Sequence, residues 1–155
     1  MLASGAGCRM EDESWLRSLL AVLGGAPPEW TCASIATALG GALAPDPRRS
    51  TAYRHGHVLT GVRFPAGVAG EAAESANGWR VVSVDVDPQS CPLDEGAALV
   101  LVDAGPDAFE PMHVSLPTGP EIRWLDHRWR RGGGTLWIRS DARTHLLVQV
   151  GLTSV

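Results

Sequence analysis

The segment WRVVSVDV at residues 79–86 carries the clearest strand pattern in the chain. Apolar positions alternate with other residue types, which places the valines at 82, 84 and 86 on one face and Ser83 and Asp85 on the other. Successive side chains of a strand point to opposite sides of a sheet, so this alternation predicts a strand with one buried face.

Similar patterns continue to the C terminus, where we predict strands at 97–103, 111–116, 121–126, 135–139 and 145–151. Glycine- and proline-containing turns separate most of them, among them Gly105-Pro106 and Gly132-Gly133-Gly134. Such short connections leave little room for crossover helices, which favours antiparallel pairing. On the N-terminal side, residues 53–64 predict a strand or a bent pair of strands, and residues 71–76 predict a short helix.

The N-terminal part has helical periodicity instead. Leu16, Leu19, Leu20 and Leu23 form an i, i+3, i+4, i+7 stripe that predicts an amphipathic helix. A second helix is predicted within EWTCASIATALG, residues 29–40, and APDPRRS, residues 44–50, predicts an irregular linker. We therefore expect a flexible N-terminus at 1–10 and a single α+β domain at 11–155. In this fold, two N-terminal helices pack on a mainly antiparallel sheet of five to seven strands, or on a partial barrel.

The composition indicates which kinds of partner and which cellular location to expect. The chain has 155 residues, 45% of them hydrophobic and 19% charged, as in globular proteins. Its net charge of −4 argues against a nucleic-acid partner, and its apolar runs are too short to span a membrane. No signal-peptide pattern is present, which predicts a cytoplasmic protein. An odd count of three cysteines without a CxxC motif argues against a disulfide framework.

Cys32 is the principal candidate for chemistry. Thr31 is a suitable N-cap, so Cys32 is expected to be the first residue of the second helix. The positive end of a helix dipole favours the thiolate, which is the nucleophilic form of cysteine. A small apolar residue on an alanine-rich helix is also a common core residue, so a structural role stays open.

The order of Cys32 on a helix, His113 on a strand and Asp126 on the following strand resembles the papain-like cysteine hydrolases, including small bacterial toxin and peptidase domains. The resemblance implies that Cys32 is the nucleophile, His113 the base and Asp126 the group that orients the imidazole. It further implies acyl transfer or amide hydrolysis on a small-molecule or peptide substrate, with no cofactor. Glu29 and Trp30 stand where papain-like enzymes have an oxyanion glutamine.

Two further patterns suggest other functions. His55-Gly56-His57 places two imidazoles on one face of a strand, which could bind a metal with His113 or a carboxylate such as Glu71 or Glu110 as a further ligand. Such a pair resembles the metal ligands of cupin-like barrels and implies a metal-dependent barrel enzyme as a further alternative. The segment RWLDHRWRR, residues 123–131, interleaves arginine with tryptophan. Its alternation is also typical of an ordinary sheet edge, with the tryptophans inward and the arginines in water. The six tryptophans of the chain fit an alternative function, a non-catalytic or accessory module with a tryptophan-lined pocket for a small molecule or partner, and a homodimer stays open. The candidate ligand-binding residues are Trp30, Trp124, Arg123 and Arg128.

Overall fold

The computed structural model describes residues 13–154 and shows a sheet-dominated fold. The predicted flexible segment 1–10 lies outside this range. Two α-helices come first, and a third lies between two strands in the middle of the chain. In chain order the elements are α1 (Ser14–Gly24), α2 (Cys32–Ala38), β1 (Ala42–Pro45), a 3₁₀ helix (Pro47–Arg49), β2 (Arg54–Thr60), β3 (Val68–Ser75), β4 (Arg80–Val86), α3 (Glu95–Leu99), β5 (Ala108–Leu116), β6 (Gly119–Arg131), β7 (Gly134–Asp141) and β8 (Leu147–Thr153).

All eight strands belong to one antiparallel sheet with the order β1-β2-β3-β4-β8-β7-β6-β5. The predicted strand at 79–86 is confirmed as β4, and it occupies the middle of the sheet between β3 and β8. The edge strands are β1 and β5, and each contains a proline, Pro45 and Pro111. The pairing of β5 with β6 is also irregular at Met112/His113.

One face of the sheet, here called the covered face, is buried against the helices. The valines of β4 at 82, 84 and 86 join a core that includes the leucine stripe of α1. α1 contacts β8, α2 contacts β3 and β4, and α3 contacts β7. The opposite face, here called the open face, carries Asp85, Trp137 and Arg139, which are half-buried or exposed.

The α+β fold class is wrong, although antiparallel pairing is confirmed. Within residues 13–154 the helices are three short elements, the strands number eight rather than five to seven, and the sheet is open rather than a partial barrel. None of these helices is long and apolar enough to cross a membrane.

Wrong predictions for individual segments explain much of the difference between the expected and the observed fold. Residues 71–76, predicted to be a helix, lie mostly in β3, because pairing with β2 and β4 overrides the helix propensity of alanine and glutamate. Residues 97–103, predicted to be a strand, begin inside α3, whose N-terminus is capped by the Asp94 carboxylate accepting from the Ala97 N–H.

The predictions for the linker and for the cysteines are also corrected by the structure. The first residues of segment 44–50 end β1, where an edge position tolerates Pro45, and Asp46 caps the 3₁₀ helix that follows. Cys91 is fully buried and disulfide-bonded, so the expectation of a chain without disulfides is wrong at this residue.

Leu19→Ala tests whether α1 is part of the core. Leu19 is 0% exposed, so we expect its truncation to lower the free energy of unfolding by about 2–5 kcal/mol, through lost burial and a residual cavity. Urea denaturation measures the change. Ser18→Ala, on the exposed side of the same helix, should stay within about 0.5 kcal/mol of wild type. Equal effects of the two variants would contradict the packing of α1 described above.

Candidate functional site

Cys32 begins α2 as predicted, but its sulfur is sealed inside the protein. Thr31 caps the helix, its hydroxyl accepting from the Ser34 N–H at 3.0 Å. The Cys32 side chain is 0% exposed, and its thiol lies 3.6 Å from the carbonyl oxygen of Ala73 and 3.8 Å from that of Val81. Burial, reinforced by the nearby Glu74 carboxylate, raises the pKa of the Cys32 thiol to about 12. The thiol is therefore neutral at physiological pH.

His113 lies far from that sulfur. It is an exposed residue of the edge strand β5, whereas Cys32 packs against β3 and β4. Three strands, β8, β7 and β6, separate β4 from β5. With neighbouring strands ~4.8 Å apart, this order corresponds to about 19 Å measured across the sheet. The structure does not bring the thiol and the imidazole together.

Asp126, the predicted orienting carboxylate, belongs to an arginine network on the open face. It is 1% exposed and accepts from Arg139 at both oxygens, at 2.7 Å from Nε and 2.9 Å from Nη2. Arg128 donates to the same carboxylate at 3.3 Å and to Glu110 at 2.6 Å. Hydrogen bonding to Asp126 raises the pKa of the Arg139 guanidinium further above its ordinary value. Asp126 is thus part of an ion-pair network that connects β5, β6 and β7.

The four predicted ligand-binding residues fall in different environments. Trp30 is 1% exposed, and its indole N–H donates to the carbonyl of Gly133 at 2.6 Å, so it is a core residue. Trp124 lies near the guanidinium groups of Arg123 and Arg139, at 6.0 and 5.6 Å from the ring centre. Among these four, Arg128 is the residue that lines the groove described below.

The two histidines proposed as metal ligands lie in β2. His55 is exposed, and His57 has a buried Nδ1 atom without a hydrogen-bond partner. Within residues 13–154, no cluster of three or more histidine, cysteine, aspartate or glutamate side chains is arranged to hold a metal ion. The metal alternative therefore has no third ligand in this part of the chain.

A groove of about 700 Å³ on the open face, lined by three tryptophans, is the candidate site. We call it the Trp137 groove. Its lining residues come from the turn before β4, from β4, from the start of β5 and from β6, β7 and β8. They are Trp79, Val81, Asp107, Ala108, Arg128, Trp129, Arg130, Thr135, Trp137, Arg139 and Thr153.

Trp137 is held in one orientation by its neighbours. Its indole lies directly over Gly151, the residue opposite it on β8, so that a Cβ atom there would come within 2.7 Å of Cε2 and closer still to Cζ2 and Cη2. The indole N–H donates to Gln149 Oε1 at 3.1 Å, and the amide of Gln149 donates to Asp85 at 2.8 Å. Glycine at 151 is thus the residue that lets the ring lie against the sheet.

Sequence reasoning missed this site although the signal was present. In the predicted strand 135–139, alternation turns Leu136 and Ile138 inward and places Trp137 on the other face. A large aromatic side chain on the polar face of a strand is unusual. Its pairing with Gly151, which lies on another strand, could not be read from the local pattern.

No protein-family model matches this chain, and comparisons with curated proteins and with solved structures gave no match. Function is therefore inferred from the chemistry of the described side chains.

Alkylation of Cys32 tests the sealed thiol. Because the pKa of about 12 and the burial both suppress the thiolate, iodoacetamide at pH 7.5 should modify Cys32 roughly a hundredfold or more slowly than free cysteine. Peptide mass spectrometry locates the label. The same protein in denaturant should react at the ordinary rate, and rapid labelling of the native protein would show that the sulfur is accessible.

Asp126→Asn tests the ion-pair network. The change leaves Arg139 without its charged partner in a half-buried position, so we expect a loss of about 3 kcal/mol in the free energy of unfolding, measured by urea denaturation. Glu121→Gln is the matched control on the same strand. Its exposed pair with Arg123, at 3.7 Å, should contribute less than about 1 kcal/mol. A small effect at Asp126 would mean that the network adds little to stability.

Proposed function

We propose that this protein is a non-catalytic binding module that holds a small-molecule ligand in the Trp137 groove. The observation that carries the proposal is the placement of a fixed indole on the open face, in the lining of a concave surface. A tryptophan needed only for stability would be expected in the core beneath the covered face, where Trp30 is 1% exposed.

The rigidity of Trp137 favours binding. Its ring is constrained by Gly151 below and by Gln149 at the indole nitrogen. A preorganised ring loses little conformational freedom when a ligand stacks on it, so more of the contact energy appears as affinity.

The size and composition of the groove also support a small ligand. A volume of about 700 Å³ is typical of drug-sized ligand sites, which combine apolar and aromatic surface with a few polar groups. Val81 and the tryptophans provide the apolar surface. The hydroxyls of Thr135 and Thr153 and the arginines provide the polar groups.

The same lining supports binding rather than catalysis. None of its described residues is a cysteine or histidine, and its carboxylate, Asp107, accepts a hydrogen bond from the backbone N–H of Arg130 at 2.6 Å. Without a paired nucleophile and base, the groove has no arrangement for acyl transfer. Cys32, the other candidate nucleophile, is buried on the covered face.

The proposal is tested by screening a fragment library against ¹⁵N-labelled protein. Ligands should shift the indole N–H resonance of Trp137 and the amide of Thr153, and leave the indole of Trp30 unchanged. Gly151→Ala should weaken these ligands about tenfold or more, because the new methyl displaces the Trp137 ring while leaving it in the chain.

Gly24→Ala is the matched control, since a Cβ there meets only Leu136 Cδ2 at 3.9 Å. Trp137→Leu provides a second variant that keeps an apolar side chain, and thermal unfolding confirms that each variant folds. Fragments that bind only at other sites, or that bind Gly151→Ala as well as wild type, would refute the proposed function.

A further inference from the structure

We infer that the occupant of the Trp137 groove is a planar aromatic molecule that carries an anionic group, a carboxylate, sulfonate or phosphate. This inference rests on the proposed function and adds the chemistry of the ligand. Two independent features of the groove support it: the flat apolar surface of its indole, and the guanidinium of Arg130, which has no carboxylate partner among the described residues.

The apolar part is best suited to a flat ring. The Trp137 indole lies against the sheet, so the side of the ring away from Gly151 faces the groove. Trp79, which is 39% exposed, and Val81 lie on the same lining. Aromatic rings stack on such a surface in offset or edge-to-face geometry, which an aliphatic chain cannot exploit.

The negative charges around the groove are already engaged. Asp126 and Glu110 are held by Arg128 and Arg139, and Asp107 accepts from the backbone N–H of Arg130. Because arginines neutralise them, Asp126 and Glu110 offer little attraction to a cationic ligand.

Some guanidinium N–H groups in and near the groove have no hydrogen-bond or carboxylate partner among the described residues. The guanidinium of Arg130 has no carboxylate partner among the described residues, and neither has that of Arg54, which lies 5.9 Å from the ring centre of Trp79. Arg139 uses Nε and Nη2 to bind Asp126, which leaves its Nη1 without a hydrogen-bond partner in residues 13–154. Because the carboxylate fixes this guanidinium, its remaining N–H groups point in a defined direction and can donate charge-assisted hydrogen bonds.

These two features lie within one cavity and predict one ligand orientation. The ring stacks on Trp137, and the anionic group lies toward the β6 and β7 arginines, Arg130 and Arg139. A neutral ring would leave the Arg130 guanidinium without an anionic partner among the described residues, and an anion without a ring would leave the indole in water.

The experiment uses a matched pair of fluorescent probes. 8-Anilinonaphthalene-1-sulfonate carries a planar naphthalene ring and a sulfonate, and N-phenyl-1-naphthylamine has the same ring system without the sulfonate. Titration of each probe into wild-type protein should show that the sulfonate binds about fivefold more tightly or better, with the preference decreasing as salt is raised.

Arg130→Gln isolates the anion contact. It should reduce the affinity for the sulfonate about fivefold and leave the neutral probe unchanged. Arg17→Gln, on α1 beyond the covered face, is the matched control, and it should change neither affinity. Gly151→Ala and Trp137→Leu should weaken both probes.

The outcomes separate the two proposals. The inference of an anionic ligand is overturned if the two probes bind with equal affinity and Arg130→Gln has no effect. If Gly151→Ala abolishes binding of both probes in that case, the proposed binding groove is retained. If Gly151→Ala and Trp137→Leu bind both probes as wild type does, the groove is not the binding site, and the proposed function falls together with this inference.

Discussion

Burial of one face of the sheet beneath the three helices is the constraint on which the rest of the structure depends. The valines of β4 and the leucines of α1 form one core, and this core fixes which side chains of every strand point inward. Alternation then sends the remaining side chains to the open face. Trp137, Arg128 and Arg139 occupy that face because their neighbours in sequence are needed in the core.

Side chains on the open face are held in place by contacts between neighbouring strands. Asp126 joins β6 to β7 through Arg139, and Trp137 joins β7 to β8 through Gln149 and Gly151. These contacts orient side chains that a sheet surface would otherwise leave mobile. The shape of the groove therefore depends on side chains that hold its lining in place, among them Gln149 and Asp126.

Sequence reasoning predicted the elements whose periodicity is local, such as α1 with its leucine stripe and β4 with its alternating valines. It failed where pairing or capping outweighed propensity, as in β3 and α3. The position of Cys32 at the start of α2 was also predictable. Its burial was not, because the strands that surround the sulfur are 41 and 49 residues away in the chain. The contact between Trp137 and Gly151 is similarly non-local, so the groove could be recognised only once the register of β7 and β8 was known.

The prolines at the two sheet edges have a consequence for self-association. Pro45 in β1 and Pro111 in β5 have no N–H to offer an incoming strand, and the irregularity at Met112/His113 further interrupts the edge of β5. Growth of the sheet by strand addition, the usual route to edge-to-edge polymers, is thus opposed at both ends. We therefore expect this protein to resist aggregation through its strand edges even in concentrated solution.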